Sequence, residues 1–227
     1  MAGGHNLARF IQRLRGISRR RWIAALVTCC MLFSFALLAA LVSAGGTVTQ
    51  FDLLLAQTIF QNTTPLGVTI FWVITQFGSG WALALIGFVM SVVLLLRGWR
   101  SLTFVWIAGL IGGGLLNLTL KAWLQRPRPI FDVPIMVAQG WSFPSGHTMN
   151  AIVGYGLLAY LLCTLTERSV PRVALIITAC MLMVLIGFSR MYLGVHYLSD
   201  VLAGYAAGGV WLFACISWMQ AIRHRLT

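Results

Sequence analysis

The stretch LGVTIFWVITQFGSGWALALIGFVMSVVLLL, residues 66–96, decides how often this chain crosses a membrane and so the sidedness of everything after it. It is apolar, longer than the about 20 residues of a plain span, and broken at Gly78-Ser79-Gly80, where a turn is expected. Either residues 66–77 form a surface or re-entrant helix ahead of a short span starting at Trp81, or they cross on their own. Basic residues discriminate, because cytoplasmic span ends collect Lys and Arg. With a single crossing the chain has six spans, and Arg97, Arg100, Arg168, Arg172, Arg223 and Arg225 share a side with the N-terminal arginines. A further crossing would export all of them. On the six-span reading only Lys121, Arg126, Arg128 and Arg190 of the 16 Lys and Arg residues face outward.

Composition agrees. Of 227 residues, 59% are hydrophobic and 9% charged, with a mean hydropathy of +0.89, whereas a soluble domain carries roughly a quarter charged residues. The expectation is an all-α, polytopic membrane protein. A basic cytoplasmic segment, 1–21, precedes one six-span domain over 22–219, and 220–227 form a cytoplasmic tail. The spans are expected near 22–44, within 66–96, and near 102–120, 147–164, 173–187 and 197–219. Residues 45–65 form an outer connection with an interfacial helix around 51–60. The run 22–44 exceeds the about 7–15 residues of a signal-peptide core, so it is expected to remain as a span, although Val42-Ser43-Ala44 resembles a cleavage site. Both termini are then cytoplasmic, in a bacterial cytoplasmic membrane, with the remaining segments facing the periplasm or the exterior.

The net charge of +12 would raise the question of nucleic acid in a soluble protein. Here the cations sit at span ends, where they orient the chain and attract anionic headgroups, so the expected partners are the bilayer and a membrane lipid, not nucleic acid. The acidic residues are only Asp52, Asp132, Glu167 and Asp200. That is too few for a magnesium or calcium cage, which needs several carboxylate and carbonyl oxygens, and no metal or cofactor is expected. Cys29, Cys30, Cys163, Cys180 and Cys215 lie in apolar stretches without metal-ligand spacing and read as small core residues. The pairs Gly109/Gly113 and Gly204/Gly208 have helix-contact spacing.

Charge at membrane depth is costly and is usually retained for function, which directs attention to three outer clusters. In Lys121-Ala-Trp-Leu-Gln-Arg126-Pro127-Arg128-Pro129, prolines end a helix carrying three cations. Lysine supplies a point charge and arginine a planar fork, a mixture suited to a phosphoryl group, though also to anchoring lipid headgroups. In Phe143-Pro144-Ser145-Gly146-His147, Ser145 caps a helix whose free N–H groups form an anion site with His147 at its edge. In Ser189-Arg190-Met-Tyr-Leu-Gly-Val-His196-Tyr-Leu-Ser-Asp200, His196 and Asp200 stand at i and i+4, one above the other on a helix face. A carboxylate there fixes the imidazole tautomer and supports a positive charge on the ring; a buried structural pair is the alternative.

Together these clusters match K-x6-R-P, P-S-G-H and S-R-x5-H-x3-D in order, and the chain resembles the type 2 phosphatidic acid phosphatase family over Lys121 to Asp200, with similar hydropathy over most of the rest. The resemblance implies a metal-independent lipid-phosphate or diphosphate phosphatase whose active site lies at the outer membrane face. It implies that His196 attacks phosphorus, Asp200 orients it and His147 protonates the leaving oxygen. It further implies that Lys121, Arg128, Ser145, Gly146 and Arg190 bind the phosphate. Arg126 is not a required position and stands as an auxiliary phosphate contact. Undecaprenyl diphosphate, phosphatidylglycerol phosphate, phosphatidic acid and diacylglycerol pyrophosphate are the candidate substrates. A lipid phosphotransferase would share the first half-reaction. A transporter would place polar, broken-helix features at mid-membrane, without a clear inverted repeat here.

Overall fold

The computed structural model describes residues 19–166 and 169–226. Most of the basic segment 1–21, together with Glu167, Arg168 and Thr227, lies outside the described residues. Regular structure among the described residues is entirely helical. The helices are α1 (Arg19–Ala44), α2 (Thr47–Gln61), α3 (Pro65–Gln76), α4 (Gly80–Leu96), α5 (Arg100–Leu124), α6 (Gly146–Leu165), α7 (Ser169–Tyr192) and α8 (Leu198–Leu226). Among the described residues, six segments are long and apolar enough to span a bilayer, with Pro65–Leu96 forming one of them. Large apolar side chains such as Phe33, Leu85, Phe88, Ile111, Leu115 and Val184 are exposed. On a soluble protein they would be an aggregation surface; around a bundle of this hydropathy they form a lipid-facing belt.

The break in Pro65–Leu96 is built from local signals. Thr64 caps α3 by accepting the Gly67 N–H, with Pro65 at the first helical position. Ser79 caps α4 by accepting the Ala82 N–H at 3.2 Å. Between them the carbonyl of Phe77 accepts the Tyr155 hydroxyl at 2.7 Å, which satisfies a backbone group that lipid could not. Gly78 is required by proximity: a Cβ there would lie 2.5 Å from Ile186 Cγ2 and 3.3 Å from His147 Cβ. The break therefore brings α3 and α4 against the ends of α6 and α7.

Helices α6 and α8 form the most buried pair. Gly204 and Gly208 allow it, since a Cβ on Gly204 would approach the Ser145 carbonyl oxygen to 2.8 Å and one on Gly208 the Met149 carbonyl oxygen to 3.1 Å. Gly109 and Gly113 likewise receive Leu157, Cys215, Val153 and Trp211. Away from the site, Leu94, Val105, Trp106, Leu157, Leu161 and Met219 pack into the principal apolar core. Indole donors cross-link it: Trp106 Nε1 donates to the Gly87 carbonyl at 3.0 Å and Trp211 Nε1 to that of Gly109 at 2.8 Å.

Two expectations need correction. The span expected near 173–187 runs on to Tyr192, because Ser189 and Arg190 are buried with protein partners and do not turn out to water. The helix stops where Gly194 takes a φ of +72°, a conformation favourable for glycine. Of the five cysteines only Cys215 is buried; Cys29, Cys30 and Cys180 are exposed and Cys163 partly so, all with free thiols. An apolar helix in lipid needs no protein partner on its outer face, so an apolar setting in sequence does not imply a core position.

Gly204→Ala is expected to lower the thermal midpoint in detergent, because backbone and the Thr148 Cβ stand against the new methyl; overpacking of this kind costs about 1–3 kcal/mol. Gly114, with nothing within 4 Å of a Cβ, is expected to tolerate alanine without loss in the same melting experiment.

Candidate active site

One end of the bundle gathers the connection between α5 and α6, the turn between α7 and α8, and helix α2. Helix α5 ends at Gln125, in left-handed conformation with φ 45°, and the irregular segment after it returns across the bundle end to α6. Lys121 Nζ, in the last turn of α5, donates to the carbonyls of Trp141 and, at 3.3 Å, Ser142. Arg128 donates to the carbonyls of Gly140 at 2.9 Å, Gln139 at 3.0 Å, Trp141 at 3.2 Å and Val195 at 2.9 Å. Both cations thus hold the same return strand of backbone, through neutral acceptors that an anion could replace.

Arg128 Nη1 also lies 3.2 Å from His196 Nε2. A guanidinium only donates, so Nε2 accepts and the imidazole proton is assigned to Nδ1 from the network. Nδ1 faces Asp200 Oδ2 and Ser142 Oγ, each at 3.3 Å. The Ser142 hydroxyl in turn donates to Asp200 Oδ2. Asp200 stands in the first turn of α8 and also accepts the Tyr197 N–H at 2.9 Å, the carboxylate half of a capping box. One side chain therefore starts the last helix and orients His196.

His196 is buried, and burial, opposed by the hydrogen bond and charge of Asp200, lowers its pKa to about 4. It is neutral at physiological pH, with a lone pair on Nε2. Burial also draws Arg128 below its ordinary value, against the attraction of Asp200. The opposite holds at Arg126, where the carboxylates of Asp200 and Asp52 outweigh burial and raise it.

Arg190, buried in the last turn of α7, donates from Nη1 to Thr75 Oγ1 at 2.7 Å, while its buried Nε has no partner. Its carbonyl accepts the Val195 N–H at 3.1 Å, so the turn that ends α7 delivers His196 beside it. Gly146 opens α6 against α5, where a Cβ would lie 3.0 Å from Asn117 Oδ1 and 3.9 Å from Lys121 Cε. His147, half-buried in the same turn, packs against Gly78.

The structure thus brings Lys121, Arg128, Ser145, Gly146, His147, Arg190, His196 and Asp200 to one end of the bundle. Arg190 is tied to Thr75 and His147 packs against Gly78, both in the broken span. Ser145 requires a correction. It occupies the cap position of α6, but its side chain caps nothing: its hydroxyl accepts from Thr148 Oγ1 at 2.9 Å, and its N–H donates to the Asp200 carbonyl at 2.9 Å. The first N–H groups of α6 are consequently without a side-chain acceptor, the condition under which a helix end takes an anion.

Sequence reasoning missed Ser142 and Asp52 and misplaced Arg126. Arg126 is buried, donates to Asp200 Oδ1 at 2.6 Å, Ser199 Oγ at 2.7 Å and Asp52 Oδ2 at 2.8 Å, and lies 4.2 Å above the Tyr197 ring. It is not arranged as a phosphate contact. Asp52 was detectable as one of four carboxylates, in an apolar helix; nothing local distinguished Ser142.

A model of the PAP2 superfamily matches residues 102–224. The chain belongs to the PAP2 superfamily. All three PAP2 motif segments fall inside the match. A Bacillus subtilis phosphatidylglycerophosphatase B is 41% identical over 110 residues, 48% of this chain and 54% of that protein. A Bacteroides thetaiotaomicron lipid A 4'-phosphatase is 34% identical over 107 residues, 44% of this chain and 40% of that protein. The chain thus spans about half the length, or less, of these curated relatives. The crystal structure of a transmembrane PAP2-type phosphatidylglycerolphosphate phosphatase from Bacillus subtilis superimposes with a TM-score of 0.79 at 30% identity, covering 86% of this chain and 96% of that one.

Nuclear magnetic resonance of 15N-histidine protein, with His196 assigned from the His196→Gln spectrum, is expected to show a neutral ring that takes up a proton only near pH 4. Because the folded value lies below the ordinary ~6.5, the unfolded chain binds the proton first. Acidification from ~6.5 toward 4 therefore works against the fold. A midpoint at the ordinary value would refute the environment described for His196.

Proposed function

We propose that this PAP2 protein is a metal-independent lipid-phosphate phosphatase acting through a phosphohistidine. The observation that carries the reading is the His196 ring itself: neutral, its Nδ1 proton directed at Asp200 and its Nε2 lone pair aimed at the cation cluster. An entering phosphate takes the cations from the backbone carbonyls they now hold, and Arg128 releases Nε2 as it turns to phosphate oxygens. Nε2 attacks phosphorus, the bond from phosphorus to the leaving oxygen breaks, and His147, which enters the step as the imidazolium once the phosphate charge is beside it, gives its proton to that oxygen and is left neutral. Asp200 stabilises the imidazolium as it forms. Water, deprotonated by His147, then attacks phosphorus, the N–P bond breaks, and His196 returns to its neutral state with inorganic phosphate released.

Lys121, Arg128 and Arg190, with Ser145 through its hydroxyl and the Gly146 N–H at the uncapped start of α6, bind the equatorial oxygens. Charge developing on those oxygens is the main thing a phosphoryl-transfer site must stabilise. The unpartnered Nε of Arg190 supports its place among them, since a buried donor without an acceptor costs free energy that a phosphate oxygen would recover. The site sits at one bundle end beside the lipid-facing belt, so the substrate is a membrane lipid whose phosphate reaches the cations while its tail stays in the bilayer. Undecaprenyl diphosphate, phosphatidylglycerol phosphate, phosphatidic acid and diacylglycerol pyrophosphate are the species to assay. By the distribution of basic residues this end faces the periplasm or the exterior of a bacterial cytoplasmic membrane, with both termini inside.

Purified protein in detergent, given each of these lipids and no lipid acceptor, is expected to release inorganic phosphate from at least one at a rate unchanged by EDTA. Release only when an acceptor lipid is added would identify a phosphotransferase instead. His196→Ala is expected to abolish turnover, and His147→Ala to lower it by about 10²- to 10⁴-fold, the usual contribution of a general acid. Substantial phosphate release by folded His196→Ala would remove the nucleophile assignment.

The sidedness has its own measurement. Asp132 is exposed in the segment between α5 and α6, and Asp132→Cys is expected to react with a membrane-impermeant maleimide in intact cells. Protection until the cells are lysed would reverse the topology.

A further inference from the structure

Arg126 is the one outward cation that the phosphate site does not use, and its surroundings differ in kind from those of Lys121 and Arg128. Those two hold neutral carbonyls. Both terminal nitrogens of Arg126 are committed to carboxylates and a hydroxyl: Nη1 to Asp200 Oδ1 at 2.6 Å and Ser199 Oγ at 2.7 Å, Nη2 to Asp52 Oδ2 at 2.8 Å. The side chain is 6% exposed, between two carboxylates that are fully buried. Its flat face covers Tyr197, the residue between His196 and α8. A phosphate would have to displace two carboxylates to reach it.

Asp52 extends the arrangement to a separate element. Besides Arg126 it accepts the Ser199 hydroxyl and, at 3.1 Å on Oδ1, the Ser199 backbone N–H. It thereby satisfies an N–H in the first turn of α8, the turn that carries Asp200, from helix α2. Buried ion networks of this kind add little stability compared with apolar packing of the same volume, while removing one partner is costly. Their value here is directional. Asp200 needs one oxygen turned to His196, and Arg126 occupies the other.

We propose that Arg126, itself oriented by Asp52, is a positioning residue for the His196–Asp200 pair, holding Asp200 so that Oδ2 faces His196 Nδ1 throughout the reaction. The guanidinium never touches the substrate. It balances the Asp200 carboxylate while His196 is neutral, and Asp52 keeps it from turning toward the phosphate. Helix α2, outside the six spans, belongs to the catalytic apparatus through this contact. The inference rests on the reading of His196 as the nucleophile.

The test measures kcat per folded molecule, the KM for a lipid phosphate and the inhibition constant of inorganic phosphate, for Arg126→Gln, Arg126→Lys, Asp52→Asn and the Arg126→Gln/Asp52→Asn pair. Size exclusion supplies the folded fraction. Arg126→Gln is expected to lower kcat about 10- to 100-fold, the usual effect of losing a group that orients a reacting one, with KM and phosphate inhibition unchanged. Arg126→Lys restores part of the loss, and Asp52→Asn gives a smaller one. The double variant is no slower than Arg126→Gln alone, because Asp52 acts through Arg126 and the effects do not add. A purely structural role would reduce the folded fraction and leave kcat per folded molecule at the wild-type value, which overturns the proposal. A raised KM and weakened phosphate inhibition with normal kcat would make Arg126 a phosphate ligand and overturn it equally. If Arg126→Gln does not fold, wild-type kcat in folded Asp52→Asn decides against it. Activity in His196→Ala would instead sink the nucleophile reading, a separate outcome.

Discussion

The site end of this bundle depends on the burial of one carboxylate. Asp200 is fully buried yet accepts hydrogen bonds from four sources: the Ser142 hydroxyl, the Tyr197 N–H, the His196 ring and the Arg126 guanidinium. An isolated carboxylate in such a place would be prohibitively costly. The donors come from two segments, Arg126 and Ser142 from the connection between α5 and α6 and His196 and Tyr197 from the turn before α8, and satisfying the group fixes both at once: where α8 begins, how residues 125–145 return across the bundle, and which tautomer His196 adopts. The backbone takes part as well, since the Asp200 carbonyl receives the Ser145 N–H and so ties the start of α6 to the start of α8.

Around this point the cations divide by what they hold. Lys121 and Arg128 are bound to neutral main-chain carbonyls, and Arg190 is only partly satisfied, its Nε having no partner. Arg126 is held by two carboxylates. Its bonds join a cation to anions, whereas those of Lys121 and Arg128 join a cation to neutral carbonyls, and this difference separates groups that can turn to a ligand from groups that are held in place. The four cations at this end therefore form two sets, although in sequence three of them crowd into one run.

Much of this was legible in the chain. The helical class, six crossings and the common end for the three motifs followed from apolar run lengths and the sidedness of arginines, both consequences of the bilayer as a solvent. The motif residues were found because charge at membrane depth stands out. Arg126 could not be separated from Arg128 by type or position, since the distinction lies in Asp52, far away in sequence and adjacent only after folding. Ser142 is an ordinary serine in a polar connection, and Ser145 looked like a cap because its position is one; the hydrogen bond to Thr148 is a side-chain geometry that spacing does not encode. The cysteines misled for a related reason. In a membrane protein, apolar surroundings in sequence describe two environments, lipid and core, and hydropathy does not distinguish them.

The same physics explains why the site reveals the phosphate and not the lipid. Phosphoryl oxygens present the same tetrahedral charge whatever they are esterified to, so groups placed to meet that charge carry no information about the lipid attached to it. The PAP2 relatives reported above carry names for different lipid phosphates, in keeping with a site of this generality. Discrimination among lipids must then arise where substrates differ, in sugar, glycerol or prenyl portions and in their tails. Trp81, Trp123 and Ile130 are large exposed apolar side chains. The geometry around His196 is held by buried charge, whose partners are costly to remove one at a time, whereas an exposed apolar side chain can change without leaving a buried group unpaired.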